Sequence, residues 1–406
     1  LDEGETCFCF LMATELKSLD LKGKRVLIRV DFNVPIDQAV VSDDTRIKAA
    51  VPTIQYVLQQ GAKVVLASHL GRPKGGFEPE FSLKQVVSAT EKALGTSVAF
   101  LGDLLDGNAL KQWNDMGMGS VAMLENLRFH AEEEAGDVEF SRRLSEFADV
   151  YVNDAFGTAH RAHASTAVVA QFFKEKAAGF LMQSELDAVA RVLHVGQHPF
   201  TAVVGGAKIS SKIGILKNLI ARADRFIIGG GMVYTFLKAK GGQIGQSLVE
   251  EGMLDTAREF LSACEEKGIV VYLPEDSLCS SRFGDDGAIK TYPSSAIPDT
   301  HMGLDAGPKA CVAIEALIST SKTILWNGPL GVFEIPAFAG GTLALGTAIA
   351  KATQQGAYSL VGGGDSVAAA NALGISSQLS YVSTGGGALL ECMEGLELPG
   401  VAALRG

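Results

Sequence analysis

Four arginines and a histidine stand in segments that follow short apolar runs: Arg46 in DDTRIKAA, His69 and Arg72 in SHLGRPKGG, Arg128 in LRF and Arg161 in GTAHRAHAS. A guanidinium fork donates parallel N–H bonds to a phosphate or carboxylate, so four of them at the edge of one crevice would make a small-anion site. Asp31 and Asn33, in RVDFNVP, end a run in polar residues ahead of a proline, a pattern that also suits an Asx turn. DDTRIKAA reads as a capped helix start, yet Arg46 in its first turn has the wrong sign for the helix dipole. His160 and His163 lack a third ligand or a HExxH context, which argues against a metal hydrolase, and no Ser–His–Asp or Cys–His order appears.

The second half offers bare backbone instead. IIGGGM, VGGGDS and STGGGA place three glycine triplets after three separate runs, and glycine lets N–H groups at a helix start approach a phosphate chain. Neither GxxxxGK[ST] nor a GxGxxG fingerprint is present. GGAKISSK puts Lys208 and Lys212 four apart, on one face of an expected helix start, where an anion would relieve their repulsion. Asp365 would hold Mg²⁺ on nucleotide phosphates or serve as a helix cap, and Ser366 would cap the same helix. In WNGPLGVFE, Trp326, Pro329 and Val332 could wall an adenine and Glu334 accept from a ribose hydroxyl; core packing is the other reading of Trp326.

Such residues need elements that deliver them. Apolar runs alternate with segments of helical period, the pattern of parallel sheets flanked by helices. They start at Val26, Val64, Val121 and Val150 in the first half, and at Thr201, Arg225, Ile269, Thr323, Tyr358 and Leu379 in the second. Ligands of open α/β sheets bind beyond the carboxyl ends of the strands, so the two halves imply two lobes with different ligands. QSELDAVARVLHVGQHPF (183–200) is the expected connecting helix and hinge, closed by Gly196 and Pro199. The expected lobes span 12–182 and 201–390, with a tail over 391–406.

The formal charge of -11 and pI near 5.2 argue against a general grip on nucleic acid or anionic membrane. No run reaches the ~18 apolar residues of a membrane span. The six cysteines form no CxxC pair, which fits reduced thiols in a cytoplasmic protein. The leader LDEGETCFCFLM is too short and too acidic for a signal peptide and is expected to be an extension (1–11) ahead of Met12.

Taken in order, RVDFNVP, SHLGRP, LENLRF, VNDAFGTAHRAH, GGAKISSK, GGGM, GLDAGP, WNGPLGVFE, GGGDS and STGGGA resemble phosphoglycerate kinases from about Leu19 to Leu396. The resemblance implies an α/β fold of two Rossmann-like lobes joined by a hinge, with phosphoryl transfer between 1,3-bisphosphoglycerate and ADP to give 3-phosphoglycerate and ATP. By motif, Asp31, Asn33, Arg46, His69, Arg72, Arg128 and Arg161 would bind the glycerate. Gly206, Lys208 and Lys212 would meet the nucleotide phosphates beside Asn327 and Gly362, Gly363, Gly364, Asp365 and Ser366. Gly303, Leu304, Pro329 and Val332 would wall the base, and Glu334 would meet the ribose. Arg46, Lys208, Lys212, Gly363 and Gly386 would serve the moving phosphoryl. The resemblance also favours a monomer whose tail, ELPGVAALRG, crosses back to the first lobe. Two rivals are a nicotinamide-dependent oxidoreductase, which lacks its fingerprint here, and a non-catalytic nucleotide sensor on the same scaffold.

Overall fold

The computed structural model describes residues 12–194, 196–284 and 286–405, so the leader with Cys7 and Cys9 lies outside the described residues. Backbone contacts divide the chain into two compact units, one up to Asp187 together with the tail from Glu397, the other spanning Ala188–Leu396.

The first unit is built on an all-parallel sheet of six strands, ordered Val98–Gly102, Val121–Leu124, Lys63–Ala67, Arg25–Arg29, Val150–Asn153, Glu175–Ala178. Lys63–Ala67, Val121–Leu124 and Val150–Asn153 are buried throughout, as strands covered on both faces must be. Val26, Ile28, Val64, Leu66 and Val152 pack with Ile47, Ile54 and Val57 of helix Thr45–Gln59. The tail joins this unit through Gly400, whose N–H reaches Ala159 O at 2.8 Å. A Cβ at Gly400 would sit 2.9 Å from Ala159 Cα, so only glycine allows the approach.

The second unit repeats the plan with strands Val270–Tyr272, Arg225–Ile228, Phe200–Val204, Thr323–Asn327, Tyr358–Val361 and Tyr381–Val382, again all parallel. Sequence order descends from third strand to first across one half and ascends from fourth to sixth across the other. The reversal falls between Phe200–Val204 and Thr323–Asn327, where a doubly wound sheet opens its ligand crevice. A small antiparallel sheet, Asp276–Ser280 with Ile289–Pro293 and Met302–Ala306, adds Gly303 and Leu304 to this unit.

The segment expected to link the lobes is helical over Phe180–Leu193, starting and ending earlier than 183–200. Its early start has a cause in the first unit: Thr53 Oγ1 accepts from Phe180 N at 2.9 Å, and Asp154 Oδ1 accepts from Leu181 N at 2.9 Å and Met182 N at 3.2 Å. These oxygens satisfy the orphan donors of the first turn.

Candidate functional site: an anion cluster and a nucleotide cleft

In the first unit, residues at the carboxyl ends of neighbouring strands meet. Asp31, just past Arg25–Arg29, accepts from Arg46 at 2.9 Å through Oδ2, and the same guanidinium nitrogen reaches Asn33 O at 3.2 Å. Asp31 thereby anchors an arginine that the helix dipole alone would disfavour. Asn33 turns inward as well, its Oδ1 taking Gly71 N at 2.8 Å.

His69 follows strand Lys63–Ala67 and is buried, with Nδ1 3.2 Å from Arg29 and 3.8 Å from Asp31. Burial first, then the charges of Arg29, Arg128, Arg46 and Arg161, hold its imidazole well below the ordinary value, so it is neutral at physiological pH. Three of the four expected arginines, Arg46, Arg128 and Arg161, thus bear on its charge.

Arg128 is nearly enclosed, its side chain 6% exposed, with one N–H on Gly71 O at 2.8 Å and Nε 3.2 Å from Glu134. Arg161 donates through Nε to His160 Nε2 at 3.2 Å. Arg72, on the loop after His69, is exposed.

The second unit holds two adjoining clefts. One, of about 460 Å³, is mostly apolar; Gly303, Leu304, Pro329, Val332 and Glu334 line it, together with Tyr234 and Phe283. The other, of about 380 Å³, is lined by Gly206, Lys208, Lys212, Asn327, Gly363, Gly364, Asp365 and Ser366 among others. Gly206, Ala207 and Asp365 border both. An apolar slot leading into backbone amides and ammoniums matches a base followed by a phosphate chain.

Two glycines are demanded by this geometry. Gly363 caps helix Gly364–Ala372 at φ 91°, and a Cβ there would lie 2.7 Å from Asn327 Nδ2. Gly230 brings its strand end against Gly206, where a Cβ would sit 2.5 Å from Gly206 O. Gly362 stays buried and gives its carbonyl to Asn327 Nδ2 at 2.7 Å, which turns Asn327 Oδ1 toward Lys212 Nζ at 2.6 Å. Burial pulls the Lys212 ammonium below its usual value, opposed by Asp365 and Glu394. Gly386, at φ 50°, precedes helix Gly387–Met393, whose Leu390 lines the polar cleft.

Two local expectations are corrected, and Trp326, for which core packing was one of two readings, is decided. Lys208 and Lys212 do not share a helix face: Lys208 is extended, a 3-10 turn covers Ile209–Ser211, and the α-helix begins only at Ile213. Burial of Ile209 and the left-handed Gly206 (φ 123°) break the helix that the spacing suggested. Both lysines still line the polar cleft. Ser366 does not cap its helix; its hydroxyl accepts from Gly328 N on the neighbouring strand end. Trp326 is fully buried, donating to Gly328 O at 3.0 Å, so core packing is its role.

The family model for phosphoglycerate kinase matches residues 16–396. The chain belongs to the phosphoglycerate kinase family. It is 49% identical over 390 residues to the cytosolic phosphoglycerate kinase of Nicotiana tabacum, covering 96% of this chain and 97% of that one. The phosphoglycerate kinase of Synechococcus elongatus is 48% identical over the same shares. Among solved structures, phosphoglycerate kinase from Coxiella burnetii superposes with a TM-score of 0.90 at 42% identity, over 97% of this chain and 99% of that one.

Sequence reasoning passed over the part that several residues play in these two clusters. Arg29 is buried beside His69 and donates to Ser165 Oγ at 2.7 Å, while buried Glu133 accepts from Ser165 N at 2.9 Å. Arg29 sits inside an apolar run, and only its position at the carboxyl end of that strand could have marked it. His163 is held down to about 4, mainly by burial and then by Arg128, so it adds a second neutral imidazole. Phe283, 65% exposed yet lining the apolar cleft, comes from a loop with no motif.

Proposed function

We propose that the chain transfers a phosphoryl group between the acyl phosphate of 1,3-bisphosphoglycerate and ADP, giving 3-phosphoglycerate and ATP. The observation that carries the reading is the pairing of chemistries: arginines converging on a neutral His69 in one unit, and an apolar cleft continuing into an amide- and lysine-lined one in the other. Arg46, His69, Arg72, Arg128 and Arg161, with Asp31 and Asn33, take the phosphoglycerate. Gly303, Leu304, Pro329 and Val332 take the base, and Glu334 the ribose. Lys208, Lys212, Asn327, Gly362 to Gly364 and Ser366 serve the phosphates.

In the ATP-consuming direction the nucleophile is a carboxylate, already ionised at neutral pH, so no general base is needed. Catalysis is then positioning plus stabilisation of charge on the equatorial oxygens. Arg46, Lys208 and Lys212 supply positive charge, and helix-start N–H groups at Gly363 and Gly386 supply oriented donors. Asp365 is exposed at the border of both clefts, and among the described residues no group of three or more His, Cys, Asp or Glu could hold a metal unaided. One carboxylate completed by substrate phosphates suits a hydrated Mg²⁺, which would neutralise the phosphate oxygens when bound.

Transfer requires both substrates in contact and water excluded, so we take the Phe180–Leu193 helix to act as a hinge. Small-angle scattering should show compaction when both substrates bind, and identical curves would refute the hinge. The protein is taken to act as a monomer on small molecules in the cytoplasm. The tobacco relative is named cytosolic, and no described helix is long and apolar enough to cross a membrane. A coupled assay with ATP and 3-phosphoglycerate tests the activity. Turnover that depends on both substrates supports it, and nucleotide binding without turnover would favour a sensor.

A further inference from the structure

Asp305 is a buried acid that touches neither cleft, yet it lies between three segments that shape the apolar one. It belongs to strand Met302–Ala306, directly after the wall residues Gly303 and Leu304. Its Oδ2 accepts from Gly341 N at 2.7 Å, at the start of helix Gly340–Gln354, and its Oδ1 from Ala306 N at 2.9 Å. A Cβ on Gly331 would lie 2.1 Å from Oδ1, so the loop carrying Pro329 and Val332 rests on this carboxylate. That loop is tied at two more points: Val332 N to Leu304 O at 2.9 Å, and Leu330 N to the hydroxyl of Thr342 at 3.1 Å.

We propose that Asp305, with Thr342 beside it, is a positioning residue for the nucleotide base, holding the Gly303–Leu304 strand and the Pro329–Val332 loop at the spacing of the apolar cleft through the start of helix Gly340–Gln354. The inference rests on the nucleotide reading of that cleft and deepens it. A buried carboxylate is costly, and burial pushes this one up to about 7. Backbone N–H groups of Gly341, Ala306 and Gly340 oppose that push. A helix start offers these donors in a fixed direction, so the acid sets where the helix begins relative to the wall. Asparagine would keep the shape but aim an N–H₂ group at a donor.

The test is calorimetric titration of ADP into wild type, Asp305→Asn, Thr342→Val and Thr342→Ser, with steady-state kinetics varying each substrate. At pH 8.5, where the Asp305 carboxylate is ionised, weakening charged hydrogen bonds predicts about a tenfold rise in the ADP dissociation constant for Asp305→Asn. Thr342→Val should follow in the same direction, Thr342→Ser should restore wild-type affinity, and the KM for 3-phosphoglycerate should not move. A purely structural role would lower kcat through the active fraction and leave both KM values alone. Unchanged ADP affinity in Asp305→Asn, or parallel rises in both KM values, would overturn the proposal. Should Asp305→Asn not fold, equal ADP affinities in the two Thr342 variants would overturn it instead. Wild type that binds no ADP would sink the nucleotide reading itself, whereas wild-type binding unaltered in the variants sinks only this inference.

Discussion

Replacing Arg46 by lysine keeps the charge and removes the fork. One guanidinium nitrogen of Arg46 already spans Asp31 Oδ2 at 2.9 Å and Asn33 O at 3.2 Å, so the donors left for substrate are the others on the same plane. A lysine ammonium at this site would spend its donors on Asp31 and Asn33 and could not hold a phosphoryl oxygen in the same geometry. Losing one hydrogen bond to a charged group costs about 1.5–3 kcal/mol, which converts to roughly 10- to 150-fold. The Arg46 side chain is 39% exposed, so water screens part of this, and the lower end, about 10- to 30-fold, is expected. The assay is steady-state turnover at saturating ATP and 3-phosphoglycerate. If Arg46 acts on the moving group, kcat falls by that factor while both KM values change little. An unchanged kcat with a raised KM for 3-phosphoglycerate would make Arg46 a binding residue only. Wild-type values for both would remove it from the site.

Three further outcomes follow from named groups. Asp365→Ala should weaken Mg-ADP binding, and calorimetry showing equal affinity would reject the metal assignment. Burial lifts Asp154 from 3.8 to about 6, so the folded state holds its proton more tightly than the unfolded one; the resulting stabilisation is full below about pH 4 and is lost as pH rises through 6. Denaturant titrations at pH 4.5 and 7.5 should therefore show Asp154→Asn gaining on wild type by at most about 3 kcal/mol at the higher pH, and parallel pH slopes would refute this. His163, held down to about 4, should remain neutral by NMR at pH 6, and a midpoint near 6.5 would contradict the cluster's electrostatics.

The sheets differ in how far they could be read from sequence. Each of the six runs in the second half supplies a strand of the second sheet; its four inner strands, Arg225–Ile228, Phe200–Val204, Thr323–Asn327 and Tyr358–Val361, are largely buried and so read as nearly continuous apolar runs. In the first half, Val98–Gly102 and Glu175–Ala178 were not recognised. They are the two edge strands, and Glu175–Ala178, reading EKAA, owes its conformation to pairing with Val150–Asn153 rather than to its own propensity.

The site divides in the same way. Residues at or just past a strand end were legible, because strand direction alone decides which crevice they enter; Asp31, His69, Arg128, Gly206 and Asn327 belong to this class. What a side chain does after arriving depends on neighbours remote in sequence. Ser366 turned to Gly328, and Asn327 links Gly362 to Lys212, pairings that no local pattern encodes. Buried acids such as Asp154 and Asp305 look like ordinary turn residues in sequence, and only burial shows that they hold helix starts.

Phosphorus NMR of the wild-type protein with Mg-ATP and 3-phosphoglycerate tests the central claim, that one chain passes a phosphoryl group from a nucleotide to a carboxylate. ADP and a new acyl-phosphate resonance should grow in equal amounts and reverse when ADP is added. ADP accompanied by inorganic phosphate alone, or no reaction while both substrates bind, would contradict it.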